Sequence, residues 1–98
     1  MYWIGYDIGS SSVKAALVSD ADGSEVARVQ YPKKEMPIDS PQPGWGEQDP
    51  DLWWEQVRLA TAELLKMPGI DPKAIRGIGI SYQMHGLVVV DPSLRPLR

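Results

Sequence analysis

The residues best suited to chemistry sit near the start of the chain, in Asp7-Ile8-Gly9-Ser10-Ser11-Ser12-Val13-Lys14. A carboxylate, a glycine, three hydroxyls and an amine fall within eight positions. Glycine admits a positive φ and lets another group come close to the backbone. Successive N–H groups in such a turn, joined by hydroxyl donors, form a concave site for an anion such as phosphate. Asp7 repels phosphate directly but suits a hydrated Mg²⁺ that bridges to phosphate oxygens, so its metal contact runs through water. Lys14 adds a compact positive charge. The same residues also make an ordinary tight hairpin turn, so the octet alone leaves both readings open. It is not a Walker A loop, because the glycine–lysine spacing is wrong, and no Gly-x-Gly-x-x-Gly follows a strand.

A second constellation is Gln83-Met84-His85-Gly86. Gln83 and His85 both donate and accept hydrogen bonds, as recognition of a polyol requires, and Met84 offers an adaptable apolar wall. The alternative is a lone loop histidine bonded to nearby backbone or water. With one histidine and no cysteine in the chain, a thiolate metal site, a disulfide framework and a thiol nucleophile are excluded, and scattered carboxylates supply no ligand cluster.

The elements that position these residues follow from pattern. Tyr2–Tyr6 and Val13–Val18 read as strands on either side of the octet, and Asp20-Ala21-Asp22-Gly23 turns the chain into a third, Glu25–Tyr31. From Pro32 to Pro50, five prolines and two glycines without periodicity predict an ordered or semi-ordered loop, a length that usually signals function or an interface. Asp49-Pro50 is an N-cap followed by a favoured first helical residue. The helix it starts carries Trp53, Val57, Ala60 and Leu64 on one stripe with Leu65 beside it, turns Glu55, Arg58, Glu63 and Lys66 elsewhere, and stops at Pro68-Gly69. Trp53 and Trp54 are expected to cover the core. Asp71-Pro72 repeats the capping device over one short turn. Ile75–Ser81 reads as a strand whose alternate glycines imply something packed closely on that face, the helix or a neighbouring strand. Leu87–Asp91 reads as a further strand, buried on both faces because its apolar run is nearly continuous. The order is β-β-β-α-β-β, an α/β arrangement with a mixed sheet.

Ninety-eight residues with a net charge of −3 bound one small domain without a basic footprint, which argues against a nucleic-acid partner. No apolar run reaches the length of a membrane span, and Asp7 interrupts the only N-terminal apolar stretch before it can act as a signal peptide. A cytoplasmic protein is expected.

The element order is similar to the opening of the ribonuclease-H-like half-domain of actin, chaperone ATPases and sugar kinases, in which the first hairpin turn faces nucleotide phosphates. Three motifs sharpen this resemblance: the octet; Pro43-Gly44-Trp45-Gly46-Glu47-Gln48-Asp49-Pro50 with Trp53-Trp54; and Gln83-Met84-His85-Gly86 before an apolar run ending in Asp91. In this order and spacing they resemble the N-terminal part of the FGGY carbohydrate kinases, and most closely the xylulokinases. The resemblance implies that Asp7 acts through Mg²⁺ on the phosphates of ATP, that Gly9, Ser10, Ser11 and Ser12 line the phosphate turn with Lys14 nearby, and that Met84 and His85 meet a ketose, with Gln83 expected beside them from its hydrogen-bonding chemistry. Trp45–Asp49 is a landmark of that family, and its expected role is architectural, as loop anchor and helix cap. It also implies that residues 1–98 are an incomplete first domain, with the general base and adenine site elsewhere, so that the chain alone is inactive and its open strand edges favour a homodimer or other oligomer. Ser10 stands where threonine is common and Tyr82 where glycine is expected, which leaves the sugar open: D-xylulose first, sedoheptulose or another ketose next. A non-sugar ATPase and a non-enzymatic binding module of the same fold are the remaining alternatives.

Overall fold

Alternating apolar residues in the first two strands set the architecture, because residues two apart share a face of a sheet. The computed structural model describes residues 1–97. β1 (Tyr2–Ile8), β2 (Val13–Ser19) and β3 (Glu25–Tyr31) form an antiparallel meander. The helix α1 (Pro50–Leu65) and a 3₁₀ turn at Pro72–Ala74 then carry the chain to β4 (Ile75–Tyr82), which lies parallel to β1. The sheet order is β3-β2-β1-β4, a mixed α/β sheet of the expected class.

One face of the sheet presents Ile4 and Tyr6 from β1, Val13, Ala15 and Leu17 from β2, and Val29 from β3, all buried. α1 packs on this face against β2 and β3 through Ala60 and Leu64, both fully buried. Asp49 caps the helix by accepting a hydrogen bond from the Asp51 N–H at 2.9 Å, and Pro50 supplies a first position that needs no donor. Asp71 caps the 3₁₀ turn in the same way through the Lys73 N–H. The Asp20–Gly23 turn closes with Gly23 at φ +74°, a conformation glycine accepts freely.

Several expectations are corrected. Leu87–Asp91 is not a strand: Leu87, Val88, Val89 and Val90 are 85, 41, 52 and 43 % exposed, and the segment makes only an isolated bridge, Val90 with Pro96. β-branched residues form a strand only against a partner, and among the described residues no strand lies beside them. Asp91 instead organises a tight turn, its Oδ1 accepting from the Ser93 and Arg95 N–H groups. The element order among the described residues is therefore β-β-β-α-β. Trp54 is 63 % exposed and does not cover the core, whereas Gln56, one turn before Ala60, is buried on the helix stripe. Glu63, expected to face outward, is partly buried. Of the two close neighbours expected for the glycines of β4, the structure has the adjacent strand: a Cβ on Gly77 would lie 2.6 Å from the Trp3 ring of β1, while Gly79 has open space.

Candidate functional site

The loop from Gly9 to Ser12 joins β1 to β2, and its three serine carbonyls are each held from the protein side. The Gly9 N–H donates to the Ser12 carbonyl at 3.0 Å, and the Met36 N–H donates to the Ser11 carbonyl at 2.8 Å. The Gln48 side-chain amide donates to the Ser10 carbonyl. In a planar trans peptide the N–H points opposite the carbonyl. Holding the carbonyls of Ser10 and Ser11 inward therefore turns the N–H groups of Ser11 and Ser12 away from those anchors, as an anion nest requires. Gly9 keeps an ordinary φ, so its value here is closeness: a Cβ would meet the Ser12 carbonyl at 3.2 Å. Ser12 itself is buried, while Ser10 and Ser11 are exposed.

Asp7, one residue before the end of β1, lies on the face opposite α1. It is paired in register with Lys14 on β2 and Ser81 on β4, so the three side chains share that face. The Ser81 hydroxyl donates to Asp7 Oδ1 at 3.3 Å. Asp7 is exposed, and with Lys14 it lines a depression of about 320 Å³ that extends over the sheet to Glu25 and Arg28. An exposed carboxylate next to outward N–H groups and an amine is a donor set that fits a hydrated Mg²⁺ with an attached polyphosphate.

Because β1 and β4 are parallel and end together at Ile8 and Tyr82, the chain leaves β4 beside the turn, where the Gln83 N–H donates to the Ile8 carbonyl at 3.0 Å. A cleft of about 440 Å³ opens here, lined by Ser10 from the turn, Gly46, Glu47 and Gln48 from the long loop, Trp53 from α1, and Gln83 and His85. The three motifs, far apart in sequence, thus meet around one cavity. Met84 does not line it and is 83 % exposed.

Sequence reasoning missed Gln48 and Ser81 as individual residues. Ser81 was findable from parity, since a parallel β4 in register with β1 puts it beside Asp7. Gln48 has no local signature: the carbonyls it meets belong to Ser10 and Pro37, and only the fold brings them together.

The model of the FGGY family of carbohydrate kinases, N-terminal domain, matches residues 2–98. The chain belongs to this family. Xylulose kinase from Klebsiella pneumoniae is 39 % identical over 98 residues, covering 98 % of the chain and 19 % of that protein. The L-xylulose/3-keto-L-gulonate kinase of Escherichia coli is 38 % identical over 96 residues, covering 98 % of the chain and 18 % of that protein. The crystal structure of a xyloylose kinase from Brucella ovis superposes with a TM-score of 0.87 at 38 % identity, over all of the chain and 20 % of that one. The chain spans about a fifth of the length of these FGGY relatives. Among the described residues, no helix is long and apolar enough to cross a membrane.

Proposed function

We propose that these residues are the N-terminal part of an ATP-dependent ketose kinase that transfers a phosphoryl group from ATP to a hydroxyl of D-xylulose, giving xylulose 5-phosphate. The observation that carries the reading is the meeting of a phosphate-type turn and a polar cleft at one end of the sheet. In this assignment the Ser11 and Ser12 N–H groups and the exposed Ser10 and Ser11 hydroxyls hold phosphate oxygens on a turn that Gly9 closes, Lys14 offsets their charge, and Asp7 holds Mg²⁺ through water. Bound Mg²⁺ neutralises charge on the transferring phosphoryl group. Gln83 and His85 hydrogen-bond the sugar, and Met84, exposed beside them, offers an apolar wall. The attacking sugar hydroxyl forms the new P–O bond as the bond to ADP breaks. Its proton passes to a base outside these residues. Phosphoryl transfer rests on positioning and charge neutralisation from both sides, so the 98 residues alone are inactive. The setting is cytoplasmic, with neither nucleic acid nor membrane as a partner.

The test is ADP release by the natural full-length protein with and without D-xylulose, against L-xylulose, sedoheptulose, 3-keto-L-gulonate and gluconate. Strong stimulation by D-xylulose is expected, and Asp7→Asn is expected to lower kcat on the order of 100-fold. Stimulation by another sugar would keep the kinase and replace its substrate. ATP turnover indifferent to every sugar would overturn the kinase reading.

A further inference from the structure

We propose that Gln48 is a positioning residue for nucleotide: its side-chain amide sets the Ser10–Ser11 peptide plane and thereby aims the Ser11 N–H at the phosphate. The proposal rests on the reading of the Gly9–Ser12 turn as the nucleotide site. Each polar atom of the Gln48 amide is committed. The NH₂ group donates to the Ser10 carbonyl and, at 3.3 Å, to the Pro37 carbonyl, while Oε1 accepts from the Trp53 indole N–H at 3.1 Å. Two carbonyls require the NH₂ on their side and an indole N–H requires the oxygen on the other, so the amide has one orientation.

That orientation has a consequence for the turn. The Ser11 and Ser12 carbonyls are held by backbone N–H groups of Met36 and Gly9, which no side-chain substitution removes. The Ser10 carbonyl is held by a side chain, so this one peptide plane depends on the identity of residue 48. Freed of its donor, the Ser10–Ser11 peptide can rotate, and the Ser11 N–H leaves the direction shared with Ser12. Gln48 also lines the cleft with Gln83 and His85, and is anchored to α1 through Trp53. A loop anchor and a phosphate-turn clamp are therefore the same residue, and the two roles separate by chemistry. Glutamate in its place keeps the acceptor for Trp53 but loses both donors. Methionine keeps the length and loses all three bonds. Trp53→Phe removes the indole donor and leaves the contacts to Ser10 and Pro37.

The experiment compares Gln48→Glu, Gln48→Met and Trp53→Phe in the natural full-length protein. It measures MgADP affinity by calorimetry without sugar, KM for ATP and for D-xylulose, and the melting temperature. Both Gln48 variants are expected to weaken MgADP binding and raise the ATP KM by about tenfold, the worth of one well-placed hydrogen bond. Trp53→Phe, which loses the indole anchor but keeps the contact to the Ser10 carbonyl, should leave MgADP affinity within about twofold. If Gln48→Glu does not fold, the neutral, equally long Gln48→Met decides. MgADP affinity unchanged in Gln48→Met, or weakened equally in Trp53→Phe, overturns the assignment and leaves Gln48 an ordinary loop anchor. A wild-type protein that binds no MgADP overturns the nucleotide site itself, a separate result from failure of the Gln48 variants against a binding wild type.

Discussion

At the scale of single residues, position outweighs type. Asp7, Gly9 and Lys14 drew attention because their types suit phosphate chemistry, and the register places Asp7 and Lys14 side by side as that chemistry needs. Of the two properties that glycine offers at position 9, the structure uses closeness to the Ser12 carbonyl and not a positive φ. Met84 shows the limit of reading by type, since an apolar side chain adjacent to two cleft residues still lies open to solvent. A pH effect belongs at this scale too. Tyr31 ends β3 half-buried, with Lys33 Nζ 4.6 Å from its ring centre. Burial first, and then the hydrogen bond and negative charge of Glu63, hold its phenol above the ordinary value of 10.0. The folded state thus favours the protonated phenol more than the unfolded chain does. That contribution is fully present below the ordinary value and is lost as pH rises through the folded-state value. Phenolate absorbance on alkaline titration, compared with Tyr31→Phe, should show Tyr31 ionising late, and Glu63→Gln should move it earlier. A Tyr31 that ionises at the ordinary value would contradict the contact with Glu63.

At the scale of elements, structure specified by local rules was legible and structure specified by partners was not. Asp49-Pro50 and Asp71-Pro72 announce their turns of helix because a cap and a fixed φ act within a few residues. Asp49→Ala should therefore lower stability by about 1 kcal/mol, read from urea unfolding monitored by helix ellipticity, with Asp49→Asn close to neutral. The meander was equally readable, since the Asp20–Gly23 turn and alternating strands fix one another. Leu87–Val90 failed for the opposite reason. Its composition encodes willingness to pair, and pairing is a property of two segments. The helix stripe was right at Ala60 and Leu64 but missed the buried Gln56, because periodicity places a side chain on a face without saying whether an amide can be enclosed there.

For the whole molecule, the described residues leave one broad apolar surface open. α1 covers β2 and β3, while β4 carries Ile78 and Ile80 at 62 and 59 % exposure beside a groove of about 940 Å³ lined also by Trp54, Leu59 and Leu65. The radius of gyration of 15.6 Å exceeds the ~13 Å of a compact domain of this size. An apolar groove next to an unpaired strand edge invites association. The 98-residue chain expressed by itself should run above its 10.9 kDa mass in light scattering at micromolar concentration, and Ile80→Lys should shift it towards monomer. A clean monomer would mean that the edge is protected in solution.

The parallel pairing of β1 with β4 runs in one register from Trp3 with Gly77 to Ile8 with Tyr82. Added length is therefore tolerated very unevenly along the chain. One residue inserted within β4 would slide the Gln83 segment by about 3.3 Å past the turn and reverse the faces of the residues beyond it. Two or ten residues inserted at Asp20–Gly23 would displace nothing at the cleft, because that turn lies at the opposite end of the sheet, next to Met1. It is the place to splice in a fluorescent label or an affinity tag.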